Sequence, residues 1–289
     1  MPEAKTLTVT TSWDDGHPLD LRVADLLDKY AVKGTFYVAP RNIEFPASGR
    51  IDPVQLADLA GRHEIGAHTM THRRLPQLDD ATAHREIADS KSYLEDQLST
   101  AVPSFCYPGG QYHRRHLKMV LAAGFRTART VRRHHVGDVA NRLQIPTTMH
   151  CYRHLSDAPW LMGWTRGRLL RGARYYLAWD ELAIALFERS LAAGGVYHLW
   201  GHSWELDRFG DWHRLERVLA HLARRTAEVN AGPESEGRIR HRTNDEAYPE
   251  AGWSGPSPQA GWSGHSPQAG WSGNSPQAGW SGNSPEAGW

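Results

Sequence analysis

An α/β fold, a deformed (β/α) barrel of about seven parallel strands, is predicted by two features of this chain. Short β-branched or apolar runs alternate with helix-patterned stretches from residue 7 to about residue 225. The length also agrees, since 289 residues at 40% apolar and 22% charged can bury the core of one large domain, which excludes a fibrous or wholly disordered chain.

Taken in order, residues 7–13 (LTVTTSW) form the first strand and end at Asp14-Asp15-Gly16. Val23, Leu26, Leu27 and Tyr30 then recur at helical spacing within residues 19–30. Residues 34–40 (GTFYVAP) read as the second strand, Pro53 opens a short helix, and residues 63–69 (HEIGAHT) make the third strand. Asp79-Asp80 caps a long helix whose buried face is Ala83, Ile87, Leu94 and Leu98. Residues 104–110, 125–130, 143–150 and 195–202 are further strands, with helices around 116–123 and 180–193 between them. In such barrels the chemistry collects at the carboxyl ends of the strands.

Composition changes sharply after Pro249: no Val, Ile, Leu, Met or Phe follows, and the only Asp, Glu, Lys or Arg residues are Glu250 and Glu286. From Ala251 the unit AGWSGxSP(Q/E) repeats every nine residues and sets Trp253, Trp262, Trp271, Trp280 and Trp289 at fixed spacing. One Trp per unit buries too little apolar area to offset about 1 kcal/mol or more of ordering entropy per residue. The predicted organisation is therefore a domain over 1–227, a polar linker over 228–250 and a disordered low-complexity tail over 251–289.

The balance of 33 Lys and Arg against 32 Asp and Glu gives a net charge of +1, with no global field to draw nucleic acid or an anionic membrane. Two cysteines, Cys106 and Cys151, cannot build a disulfide framework or a Cys-only zinc site. No run of about 18 apolar residues and no export signal is visible, so the expectation is a cytoplasmic protein without an integral membrane segment.

Four strand ends offer chemistry. Adjacent carboxylates in an extended strand point to opposite faces, but Gly16 lets the chain turn, so Asp14 and Asp15 can share one rim; an Asp-Gly turn is the plainer alternative. His68 and His72 converge if residues 69–72 begin a helical turn, and two imidazoles with an Asp from another strand form a facial set for zinc, iron, cobalt or nickel. Tyr107-Pro108-Gly109-Gly110 can bring backbone N–H groups close to an oxyanion. His202, flanked by Trp200 and Trp204, is placed as a general acid beside an aromatic wall for a sugar. The Arg-rich segment 160–179 and residues Arg132 to His135 read as a solvated helix face and a loop.

The runs TTSWDDG, VKGTFYV, HEIGAHTMTH and FCYPGG, with a late strand ending in His202, resemble the NodB-homology polysaccharide deacetylases, family 4 of the carbohydrate esterases, over residues 7 to about 206. The resemblance implies one divalent transition ion, zinc first, on Asp15, His68 and His72. It implies Asp14 as catalytic base, His202 as acid, and an oxyanion and substrate site from Tyr107, Pro108, Gly109 and Trp204. Many members carry an Arg in the third motif where this chain has Cys106; Arg126 or Arg129 could replace it, and His198 competes with His202. The expected activity is deacetylation of an N-acetylated sugar or polysaccharide. A deformylase or amidase acting on a small or cyclic amide, and a non-catalytic carbohydrate-binding protein, are the alternatives.

Overall fold

The computed structural model describes residues 5–233 and 238–248, and within them strands and helices alternate as predicted. The first half is a run of βα units: β1 (Thr6–Asp15), α1 (Asp20–Lys29), β2 (Thr35–Val38), α2 (Pro53–Arg62), β3 (Glu64–Ala67), α3 (Asp80–Leu98), β4 (Ser104–Cys106), α4 (Arg114–Ala122) and β5 (Thr127–Arg129). The second half adds β6 (Met149–His150), α5 (Ala158–Trp164), α6 (Leu169–Leu177), α7 (Trp179–Ala193), β7 (Gly195–Gly201), α8 (Ser203–Phe209), α9 (Trp212–Ala231), β8 (Arg238–His241) and α10 (Asn244–Ala247). Local signals account for the starts. Asp52 accepts from the N–H groups of Val54 and Gln55 ahead of Pro53, and Asp79 accepts from Thr82 N–H at the head of α3.

Seven strands run in the order β5-β4-β3-β2-β1-β7-β6, and every pairing is parallel. Arg129 of β5 makes one isolated parallel bridge with Ile145, four residues before β6, and among the described residues no ladder joins β5 to β6, so the barrel is deformed rather than regular. β1 lies at the centre and is buried along nearly its whole length. Its odd positions Leu7, Val9 and Trp13 enter the main hydrophobic core. Its even positions face a polar interior, where Thr10 and Ser12 each bond one ring nitrogen of His198 at 2.8 Å.

The predicted linker is partly ordered fold. α9 reaches Ala231, β8 pairs with the first residues of β1, and α10 carries the fully buried Asn244. Asn244 donates through Nδ2 to Tyr37 Oη at 2.7 Å and through its backbone N–H to Thr35 Oγ1 at 2.9 Å. Composition hid this because β8 (RIRH) holds one apolar residue, Ile239, which needs only a single groove beside β1. The tail read as disordered over 251–289 lies outside the described residues. The segment 160–179 forms most of α5 and α6, with Leu169, Leu170 and Leu177 exposed. The Arg132–His135 stretch has no helix or strand, as expected.

Replacing Asn244 by Ala strands the buried Tyr37 hydroxyl and is expected to cost about 1–3 kcal/mol. A urea-unfolding midpoint equal to that of the parent protein would contradict this anchoring role for α10.

Candidate active site

The site forms where β1, β3, β4, β5, β6 and β7 end. On strand parity Asp14 continues the inward series Thr10, Ser12, and Asp15 should point away. Asp15 instead has φ 88, and Gly16 follows at φ 71, so the chain turns at once and both carboxylates reach the mouth. A Cβ on Gly16 would lie 2.8 Å from Val38 Cγ1, so the turn also needs that glycine.

Asp15 Oδ1 lies 3.3 Å from His72 Nε2 and 3.8 Å from His68 Nε2. The predicted helical turn between the two histidines does not form. Thr69 at φ 61 and His72 at φ 65 kink the backbone instead, and these kinks bring the rings to 4.8 Å between centroids. Each of the three side chains has a polar neighbour behind it. His68 Nδ1 is 2.8 Å from the Cys106 carbonyl and so carries the proton, leaving the Nε2 lone pair to the site. His72 Nδ1 lies 3.1 Å from Glu44, and Trp204 Nε1 donates to Asp15 Oδ2 at 2.9 Å. Asp15 Oδ1 is buried and has no hydrogen-bond partner. An orphaned carboxylate oxygen facing two imidazole nitrogens fits a divalent transition ion better than it fits an apolar or purely hydrogen-bonded site.

Beside this group, Asp14 Oδ2 pairs with Arg129 Nη2, and both residues are buried. Burial pushes the Asp14 carboxyl up, but Arg129, with help from His68 and His202, outweighs it and holds the group down at about 2. Arg129 is the cation that Cys106 does not supply: it lies on β5, its Nη2 is 2.9 Å from Cys106 Sγ, and its guanidinium is 4.6 Å from the Trp200 ring centroid. Arg126 pairs with Asp245 at the surface. Asp14 Oδ1 is left without a partner.

His202 Nδ1 bonds Glu205 Oε2 at 2.6 Å, and its Nε2 lies 3.9 Å from Asp15 Oδ2. Burial pulls its pKa down, but Glu205 and Asp15 outweigh this and raise it to about 10, so the ring is a cation near neutrality. His198 is different. Burial and Arg129 lower it to about 3, and both its nitrogens are taken by Thr10 and Ser12 below the mouth.

Of the loop after β4, Gly109 is exposed and has φ 59. Tyr107 departs from expectation: its ring is fully buried against Tyr112, its hydroxyl donates to the Leu143 carbonyl at 3.1 Å, and its N–H goes to the Arg129 carbonyl. Pro108 is buried and has no N–H. Neither offers a free N–H to the mouth. Trp204 adds a wall with Phe45, at 6.1 Å between ring centroids, as well as its bond to Asp15.

Against known families, the polysaccharide deacetylase model matches residues 2–128. Over those residues the chain is similar to the polysaccharide deacetylases. No curated protein sequence matches it. Among solved structures, the Xyl-CE4 domain of a multidomain xylanase from the hindgut metagenome of Trinervitermes trinervoides is 13% identical with a TM-score of 0.52, over 85% of this chain and 90% of that one. A peptidoglycan N-acetylglucosamine deacetylase is 15% identical with a TM-score of 0.51, over 84% and 93%. At these identities the likeness is one of fold. The deacetylase PplD of Streptococcus pyogenes, in complex with acetate, matches 47% of this chain at 22% identity and a TM-score of 0.42, and this chain spans 62% of that protein.

Glu205, Glu44 and the Trp204 N–H were not singled out from sequence. Glu205 stands three residues after His202, one helical turn along, which is the signal that could have found it.

Arg129→Met leaves a buried carboxylate without its cation and is expected to destabilise the protein by about 3–5 kcal/mol. Arg126→Met, at an exposed pair, is expected to cost under about 1 kcal/mol. Equal losses in chemical denaturation would mean that Arg129 is not the buried partner.

Proposed function

We propose that this chain is a metal-dependent hydrolase that removes the acetyl group from an N-acetylated sugar or polysaccharide. The observation that supports it most is the orphaned Asp15 Oδ1 facing His68 and His72, beside a base and a protonated acid of opposite charge. The match of residues 2–128 to the polysaccharide deacetylase family supports the acetyl group and the carbohydrate class.

Asp15, His68 and His72 would hold the ion, with zinc the first choice for two imidazoles and a carboxylate. When bound, a divalent ion supplies Lewis acidity, polarising an amide carbonyl and making water a stronger acid. Asp14 takes the proton of the attacking water on Oδ1, the oxygen that Arg129 leaves free. A carboxylate held near 2 is a weak base, so it serves only water that is already acidified. The exposed backbone at Gly109 is placed to donate to the oxyanion. His202 gives its Nε2 proton to the departing amine, while Glu205 on Nδ1 fixes the ring and keeps it charged. The aromatic pair Phe45 and Trp204 offers the sugar a flat apolar face.

Release of amine from N-acetylglucosamine oligomers is expected to stop on chelation and return with zinc, and Asp14→Asn is expected to lower it by about 100- to 10,000-fold. Activity that survives complete metal removal would refute the proposal.

The pH profile of kcat/KM gives a second test. Loss of Glu205 removes the main influence raising His202, so its folded pKa falls and the protonated acid is lost at lower pH. Glu205→Gln is expected to move the alkaline limb to lower pH, and an unmoved limb would exclude His202 as the acid.

A further inference from the structure

Three clusters of His, Cys and carboxylate donors occur among the described residues. Asp15, His68 and His72 form the site described above. Asp14, His68 and Cys106 form another, but the Arg129 guanidinium already supplies its positive charge. The third, His150, His202 and Glu205, is not explained by the reaction, since His150 takes no part in it.

We propose that His150, Glu205 and His202 form a second binding site for a divalent transition ion, and that filling it removes His202 from catalysis. His150 ends β6, His202 follows β7, and Glu205 lies in the first turn of α8, so two neighbouring strand ends and one helix converge. Glu205 Oε2 sits 2.6 Å from His202 Nδ1 and 3.1 Å from His150 Nε2. His150 is 2% exposed, and the Glu205 carboxylate oxygen, at 3.1 Å, is the group its Nε2 faces. Asp15 Oδ1 and His72 Nε2, 3.3 Å apart, have nearly the same spacing.

Zinc bonds of about 2.0–2.2 Å in a tetrahedral shell place neighbouring donors about 3.3 Å apart. The 3.1 Å spacing already suits this, and the 2.6 Å spacing opens when an ion replaces the proton shared by His202 and Glu205. His150 is oriented as metal-bound histidines are: its Nδ1 is 2.6 Å from His154 Nε2, and its ring stacks on Trp200 at 3.8 Å and 8°. Two imidazoles and one carboxylate are the same donor set as in the first site, so both select the same ions. An ion on Nδ1 leaves His202 neutral, with a single N–H whose loss would make an imidazolate, and the proton needed by the leaving amine is no longer available. This inhibitory part rests on His202 being the acid; the site itself does not.

The test is calorimetric titration of the metal-free full chain with zinc, with metal content measured after desalting and amine release followed in parallel. The parent protein is expected to bind two ions, gaining activity with the first and losing it with the second. His150→Phe, which keeps the stack on Trp200, is expected to bind one ion and to lose inhibition by excess zinc. Glu205→Gln is expected to bind one ion as well, which guards against misfolding of a single variant. His72→Ala is expected to keep one ion, at the second site. One ion in the parent protein, or two in both His150→Phe and Glu205→Gln, would overturn the second site while leaving the first intact. Retention of one ion in His72→Ala together with a catalytically inert parent protein would sink the hydrolase and spare the second site.

Discussion

Everything at the mouth of this barrel depends on the backbone turning left-handed at Asp15. Two adjacent strand residues cannot otherwise present their carboxylates to one rim, because parity sends them to opposite faces. With φ at 88 for Asp15 and 71 for Gly16, Asp14 stays in the inward series while Asp15 swings to the histidines. Non-glycine residues in that region are strained, and the same strain recurs at Thr69 and His72. The surroundings hold it in place: Trp204 ties Asp15 Oδ2, and Ile51 N–H bonds the Gly16 carbonyl at 2.8 Å. Ser203, at the head of α8, donates to Asp20 at 2.6 Å and so fixes the helix that brings Trp204 and Glu205.

Electrostatics then give two groups at the mouth opposite charges. Asp14 is buried and His202 half-buried, and desolvation alone would push both towards their neutral forms. Arg129 keeps the first ionised and Glu205 keeps the second charged, so a carboxylate and an imidazolium coexist near neutral pH. Arg129 comes from β5, where the family pattern has an Arg at the position of Cys106, and Glu205 comes from the helix after His202.

How much could be read from sequence follows from the range of each signal. Strands such as LTVTTSW and the histidine run HEIGAHTMTH are local and strongly patterned, so the α/β alternation and the convergence of positions 15, 68 and 72 were legible. Choosing between Arg126 and Arg129 needed the inward face of β5. Thr127 and Arg129 share that face, with Thr127 bonded to Ser104 across the sheet, while Arg126 precedes the strand. β8 and α10 were hidden because short charged segments beside a central strand need little apolar content. The burial of the Tyr107 ring was not legible because a motif position says nothing about whether a ring or its backbone faces the site.

The most direct measurement is anomalous diffraction at the zinc edge from crystals of the chain given one equivalent of zinc. The account predicts a peak within bonding distance of Asp15 Oδ1, His68 Nε2 and His72 Nε2 together. A protein that takes up no ion there, or binds its first ion on other residues, would contradict it.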